Sequence, residues 1–588
     1  MEHLRVLDLG GVCLYHLPKS IACLKHLRYL RTSDLVKELP EFLGSMYHLQ
    51  TLDLGGVSEL PNSSPNLPIE LPNIMSTLIN LRHLSSMSTL ELPSSISNLI
   101  NLRHIISSYT IEYPVGIGKL TDLQTMPSFY VSPEHNRAKL GELKYMNNIR
   151  GEFSIKGLEN LADVDEAKKA CLEKKRNIWS LHLKWDHRAA SPSIDDEVLE
   201  SLKPSPKLGS LQISCFKGPF YPSWLGDRSF SRLSTINLYE CRNWTSLPPL
   251  GQLPTLKSLC ISEARAVEYI GGEFFSGGFP QLEELTLKYL YNWKSWCGAW
   301  EGDCPKLKKL SIIGCGNLES LSLINLGAVE DISIFGCRKL QCMSGHSLEL
   351  PHLQHVQTIK IKDICKVWSI EAAHLSPAAP SEDEPHLQLE GFGQREAEYI
   401  LDMWSHICRL TVKRCLDLTS LPSGNQSILK YVEISDCPEL QITSVSPQLW
   451  QLPSLQRIDV NGIHGAESIK VFEKSHLELT NVDQLVAALL LKEFSSMIRQ
   501  LVITGCANLT SLPWTELTTL EYLEIIKCPL FQLLDAKWLP PTLQILCIYE
   551  NPYEREQCSQ HQHFQRLKKV QQCSNKEGTH KNNQMVLL

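Results

Sequence analysis

One six-residue pattern, apolar-x-x-apolar-x-apolar, constrains this chain more than any other feature. It reads "LRVLDL" from Leu4, "LQTLDL" from Leu49, "LSTINL" from Leu233, "LKSLCI" from Leu256, "LEELTL" from Leu282, "LKKLSI" from Leu307, "LEYLEI" from Leu520 and "LQILCI" from Leu543. The pattern occurs about twenty times, with most successive starts 21 to 27 residues apart. Alternate side chains of a strand face opposite ways, so the fourth and sixth positions turn toward a shared interior and the residues between them toward the other face. A single unit cannot bury its own leucines, so units must stack. About twenty strands at ~4.8 Å each give an inner arc of roughly 95 Å, a surface suited to a macromolecule rather than a small metabolite.

The period and pattern resemble the leucine-rich repeat, in which each unit supplies a short parallel strand and a loop or helical turn. The fold expected is an α/β leucine-rich-repeat solenoid, a curved horseshoe with parallel strands on the concave face and loops and short helices on the convex face. Two variants of the repeat divide it. In residues 1–126 a Pro precedes the next hexad by nine residues: Pro18 to Leu27, Pro40 to Leu49, Pro72 to Leu81, Pro93 to Leu102 and Pro114 to Leu123. Proline fixes φ and opens the return segment without needing an amide donor. In residues 233–548 a cysteine follows the hexad start by eight residues, at Cys241, Cys315, Cys337, Cys415, Cys437, Cys506 and Cys528. A small side chain turns inward at that bend, and free cysteine is among the most buried residue types, so these thiols are read as structural.

Other stretches break the period. Residues 127–232 form an irregular repeat region in which Asp163 to Lys175 reads as a short charged helix, opening with Asp and closing with Lys. Residues 186–197 and 371–395 are polar and read as loops, and 461–497 reads as an insertion ending in a helix over "VDQLVAALLLKEFSSM". Residues 549–588 lose the hexad and read as a polar cap or tail. Met1 begins almost inside a strand, so the first strand is expected to present an open, aggregation-prone edge, and the chain reads as a piece of something longer.

Charge and motifs exclude several function classes. The net charge of −7 and the lack of a basic block argue against a nucleic-acid surface. The longest apolar runs, such as "VAALLL", are too short for a membrane span, and no signal-peptide pattern precedes the first hexad. Twenty cysteines without an export signal read as thiols in a reducing compartment, the cytoplasm or nucleus. "GIGKL" at 116–120 lacks the upstream glycine and the hydroxyl residue of a phosphate loop. No nucleophile elbow or HExxH helix is present, so neither catalytic residues nor a cofactor are expected. Cys558, His561, His563 and Cys573 supply metal-ligand types without metal-ligand spacing. "NWT" at 243 and "NLT" at 508 fit glycosylation acceptors but lack an export context.

Three features carry a more specific resemblance: "GELKYMNNIRGEFSIKGLENLADVDEAKKACLEKKRNIWSLHLKW" at 141–185, "EVLESLKPSPKLGSLQISCFKGPFYPSWLGD" at 197–227, and the C-x-x-L-x-x-L-P endings. With them the chain resembles the leucine-rich-repeat region of plant nucleotide-binding disease-resistance receptors, in particular the coiled-coil class of cereals. The resemblance implies a region that recognises a pathogen effector or a guarded host protein and restrains a nucleotide switch. The phosphate loop and signalling domain of that family are missing from this sequence, so either a nucleotide-binding domain acts in trans or the sequence is a truncated piece of a longer receptor. A substrate adaptor of a ubiquitin ligase, or another free-standing leucine-rich-repeat scaffold, is the alternative; a secreted repeat receptor lacks support from the N-terminus and the cysteines.

The candidate protein-binding residues lie beside the inward leucines. Arg5, Arg28, Tyr29, Arg82, His83, Arg103 and His104 give the N-terminal arc a basic tilt, which the resemblance assigns to an autoinhibitory contact. Lys308, Lys309, Tyr431, Arg457, Arg499 and Tyr522, among acidic neighbours, suit recognition of an effector, because Tyr and Arg tend to anchor interfaces. Trp293, Trp296 and Trp300 are either a rim patch or packing.

Overall fold

The computed structural model describes residues 3–36, 38–55, 68–126, 128–187, 194–296, 302–323, 325–340, 348–349, 358–364, 367–373, 385–394, 397, 407–421, 428–441, 452–532, 539–550 and 569–571. The chain is a leucine-rich-repeat solenoid. It divides into two compact units, Met1–Leu340 with Leu348–Pro351, and Gln341–Ser347 with His352–Leu588. That division falls within the expected 233–548 segment.

In the first unit, strands β1 (Val6–Asp8), β2 (Tyr29–Arg31), β3 (Thr51–Asp53), β4 (His83–Ser86) and β5 (His104–Ser107) form a five-stranded parallel sheet. Leu30, Leu52, Leu84 and Ile105 align in register, and with Leu27, Leu49, Leu81 and Leu102 they are completely buried. Behind the strands, five-residue 3-10 helices begin directly after Pro18, Pro40, Pro72 and Pro93, whose φ values lie between −62° and −73°. Each of these prolines gives its carbonyl to the amide three residues on, so the ring fixes the entry angle and the missing N–H costs nothing.

A second run of strands follows: β6 (Phe129–Tyr130), β7 (Arg150–Lys156), β8 (Asn177–Lys184), β9 (Ser210–Ser214), β10 (Thr235–Tyr239), β11 (Ser258–Ser262), β12 (Glu284–Lys288), β13 (Lys309–Ile313) and β14 (Asp331–Phe335). All their pairings are parallel. The helix expected over Asp163 to Lys175 is shorter. Asp163 does cap helix α1 (Val164–Lys169), accepting from Asp165 N at 2.9 Å, but the chain turns left-handed at Cys171, φ 49°. Lys175 does not close an exposed helix. It is fully buried and donates to the carbonyls of Leu143 and Met146, at 2.7 and 3.1 Å. The polar 186–197 stretch ends in helix α2 (Asp195–Ser201).

The second unit corrects two further expectations. Residues 371–373 and 385–390, expected as loop, belong to strands β16 (Val367–Ala373) and β17 (His386–Glu390), which with β15 (Thr358–Ile364) make an antiparallel meander. Then β18 (Arg409–Lys413) and β19 (Tyr431–Cys437) resume parallel pairing. The arrangement recurs. Strands β20 (Arg457–Ile463), β21 (Ala466–Phe472) and β22 (His476–Val482) form a second antiparallel meander, followed in parallel by β23 (Gln500–Thr504), β24 (Tyr522–Ile526) and β25 (Ile545–Tyr549). One reversed strand between two forward strands restores chain direction, so the inserted residues widen the sheet instead of leaving it. The expected helix is present as α3 (Gln484–Phe494).

The two meanders are followed by matching contacts. Gln394 and Gln484, each eight residues beyond the histidine that opens its strand, hold the amides of Thr419 and Thr510 through Oε1, at 3.1 and 2.8 Å. Cys415 and Cys506 accept from the amides of Phe392 and Val482, both at 3.3 Å.

The cysteine column has a geometric cause. Glu240, Asp436, Lys527 and Arg414 adopt φ of 51° to 56° immediately before Cys241, Cys437, Cys528 and Cys415, while Gly314, Gly336 and Gly505 adopt φ of 66° to 70° before Cys315, Cys337 and Cys506. This left-handed residue turns the chain into the bend behind the strand, where only a small side chain fits. All seven cysteines are buried, at most 1% exposed. Burial pushes the Cys241 thiol up, and hydrogen bonding to Cys415, then burial, does the same for Cys437.

Candidate functional site

The second and third hexad positions of the first sheet lie along its exposed face. Arg5, Arg28, Arg82 and Arg103 stand at the entrances of their strands, where backbone amides of one repeat reach carbonyls of the previous one, as from Arg28 N to Arg5 O at 2.8 Å. All four side chains are exposed, and none pairs with a carboxylate among the described residues. Tyr29, His83 and His104 follow them in the strands, half-buried. The His83 and His104 rings stack at 4.4 Å, and His104 Nδ1 lies 3.0 Å from Thr125 Oγ1.

Electrostatics separate these groups. Burial, then Arg82 and Arg103, pushes the His83 imidazole below its usual range; burial, then His83, Arg150 and Arg103, does the same for His104. Both rings are therefore neutral near pH 7, and the positive charge of the face rests on guanidinium groups. Burial and the carboxylates of Asp53 and Asp8 push the Tyr29 hydroxyl up, keeping it protonated as a donor.

Two arginines of this region escaped sequence reasoning. Arg31 occupies the fifth hexad position, which also points outward, and gathers Asp8 at 4.0 Å, Asp34 at 4.0 Å and Asp53 at 3.8 Å. The nearby acids are thus drawn to Arg31 and away from the four free arginines. Arg150 opens β7, exposed and close enough to lower His104. Alternation within the strand was a sufficient signal for Arg31; Arg150 sits in the irregular region, where no hexad marks the outward positions.

The later candidates differ in that their charges are satisfied locally. Lys308 pairs with Glu330 at 3.4 Å and Lys309 with Glu284 at 3.3 Å, both in the first unit. In the second unit Arg457 holds Asp459 at 2.8 Å and covers the Phe472 ring at 4.8 Å, and Arg499 reaches Glu521 at 3.8 Å. Arg409 stacks over Tyr431 at 4.8 Å, and the Tyr522 hydroxyl donates to Glu524 at 2.7 Å. Pairs of this kind, across strands or two residues apart on one strand, make the outward positions of each unit mixed and self-neutralising.

Other sequence candidates separate from these faces. Trp293 and Trp296 are buried, 0% and 4% exposed, and pack against each other in a tilted arrangement with centroids 5.9 Å apart; Trp300 and the tail residues Cys558, His561, His563 and Cys573 lie outside the described residues. Among the described residues no cluster could hold a metal ion, and no helix is long and apolar enough to cross a membrane. The amides of "GIGKL" already have an occupant: Gly116 N and Gly118 N donate to the Glu142 carboxylate at 2.9 Å. A phosphate would have to displace it.

Residues 140–264 match the family profile described as R13L1/DRL21 LRRs. The chain is similar to the disease resistance RPP13-like protein 1 of Arabidopsis thaliana, 29% identical over 362 residues, covering 57% of this chain and 31% of that protein. It is also similar to disease resistance protein RGA1 of Solanum bulbocastanum, 37% identical over 165 residues, covering 27% of this chain and 16% of that protein. It therefore spans less than a third of either relative. Among solved structures, a leucine-rich-repeat protein of Leptospira interrogans, LIC12759, aligns with a TM-score of 0.35 and 20% identity, covering 78% of this chain and 90% of that chain.

Proposed function

We propose that this chain is the protein-recognition region of a plant intracellular immune receptor of the coiled-coil, cereal type, acting in the cytoplasm or nucleus and without catalysis. The N-terminal face binds a nucleotide-binding domain, and the outward residues of the later strands bind a pathogen effector or a guarded host protein. The two contacts are coupled only if the ligands favour different states of the chain.

The observation that supports this reading best is the contrast in charge between the faces. Four exposed arginines with no carboxylate partner among the described residues mark the first sheet. Arginine is weakly hydrated and forks onto carboxylates, so such a face fits an acidic protein surface. Similarity to disease resistance proteins supplies the biological context.

The test is binding of the full chain to a separately produced nucleotide-binding domain of the receptor family that the sequence resembles, measured by biolayer interferometry at two salt concentrations. Charge reversal of Arg28 and Arg103 together (R28E/R103E) is expected to weaken binding about tenfold or more and to flatten its salt dependence. Equal binding by the wild type and the variant rejects the assigned face.

A further inference from the structure

A cavity of about 550 Å³ opens at the C-terminal ends of β6 to β10, apart from the arginine face. Its notable feature is a like-charge pair. Lys156 and Lys184 are register partners on the adjacent strands β7 and β8, both on the outward face. Like charges directly opposite in a sheet destabilise it, so the pair is a cost that packing alone does not explain.

The cavity's acids do not relieve that cost. Glu112 pairs with Arg137 at 3.5 Å, Glu240 with Arg242 at 2.5 Å, Asp186 with His187 at 3.2 Å, and Glu159 accepts from the amide of Asp186 at 2.8 Å. Lys156 Nζ donates only to Thr110 Oγ1, at 2.9 Å, and Lys184 forms no hydrogen bond or ion pair among the described residues. Burial, then Lys184, lowers the Lys156 ammonium, which places the two charges within mutual reach in a partly desolvated setting. Beside them His182 is pushed down to about 4 by burial and then by the two lysines, and stays neutral, its Nε2 2.9 Å from the Ser214 hydroxyl.

We propose that Lys156 and Lys184 form a site for a phosphate-type oxyanion, bridged between the two ammonium groups. A dianion converts the repulsion into two charge-assisted hydrogen bonds, set against the carboxylates of Glu112, Glu159, Asp186 and Glu240 that line the same cavity. The same chemistry reaches the site either as a free ion or as the phosphorylated side chain of a protein partner.

The test is calorimetric titration of the full chain with inorganic phosphate and with a glycine-flanked phosphoserine peptide, at constant ionic strength set by chloride. Saturable binding at one site is expected, weakened about tenfold or more by K156Q and by K184Q and unchanged by K207Q, a surface control. Tighter binding of the peptide than of inorganic phosphate identifies a side chain as the source; equal or weaker binding identifies the free ion. Thermal unfolding by circular dichroism checks folding, with both lysine variants expected to melt no lower than wild type because the repulsion is gone. The proposal is overturned if neither probe binds at millimolar concentration, or if the folded variants bind as tightly as wild type.

Discussion

Replacing Lys175 by methionine tests how this fold uses a buried charge. The ammonium is fully enclosed and caps two carbonyls at the end of the 3-10 helix Leu140–Tyr145, those of Leu143 and Met146. Burial pushes its pKa down to about 8 from 10.5. Because a lysine with a depressed folded pKa holds fewer protons folded than unfolded between those values, stability rises with pH across that window; the cost of the charged form is fully present below about 8. The shift corresponds to about 3 kcal/mol, of which roughly 2 should appear between pH 7.5 and 10. In K175M that contribution vanishes, and the Met146 carbonyl loses its donor at about 1–3 kcal/mol, while the Leu143 carbonyl keeps the amide of Met146. Urea denaturation followed by circular dichroism should therefore show wild type gaining about 2 kcal/mol on K175M as pH rises from 7.5 to 10. A difference that stays flat would mean that the ammonium is not desolvated, and the reasoning would fail.

Other perturbations address the repeat joints. Glu142→Ala strips the carboxylate from the amides of Gly116 and Gly118 and should cost about 2 kcal/mol, with faster hydrogen exchange at those amides and a smaller loss for Glu142→Gln. Lys527→Gly removes a non-glycine residue from a left-handed turn and should raise stability by up to about 1 kcal/mol, read as a higher urea midpoint. Native-state alkylation should label Cys13 and Cys23, which are exposed, and spare the seven cysteines of the buried column; labelling of Cys437 at the rate of Cys13 would contradict the packing role.

Much of the fold was legible because its signal repeats. Inward leucines at two positions per hexad fix strand direction and register, and a proline or cysteine at a constant offset fixes the return, so Leu30 and Cys437 could be placed from spacing alone. The meanders were harder. Their central strands alternate with period two, yet the turn between β21 and β22 takes positive φ at Glu473 and Lys474, 47° and 56°, where Asn-Gly would have announced a hairpin. Lys175 was misread for a related reason: sequence shows a lysine at a helix end, whereas only the packed structure reveals the carbonyls it meets. At the candidate site the outward arginines were visible, but not which were free. Arg31 finds acids across strands and Arg457 finds Asp459 two residues on in its own strand, whereas Arg5, Arg28, Arg82 and Arg103 pair with none among the described residues; side-chain distances, not spacing, make that distinction.

The most direct test of protein recognition by the N-terminal face is an arginine footprint. Phenylglyoxal modification of the full chain, followed by peptide mass spectrometry, would be compared with and without a separately produced nucleotide-binding domain of the receptor family that the sequence resembles. The account predicts slower modification at Arg5, Arg28, Arg82 and Arg103 in the complex, with Arg457 unchanged. A complex that forms while those four arginines react at their free rates would contradict it.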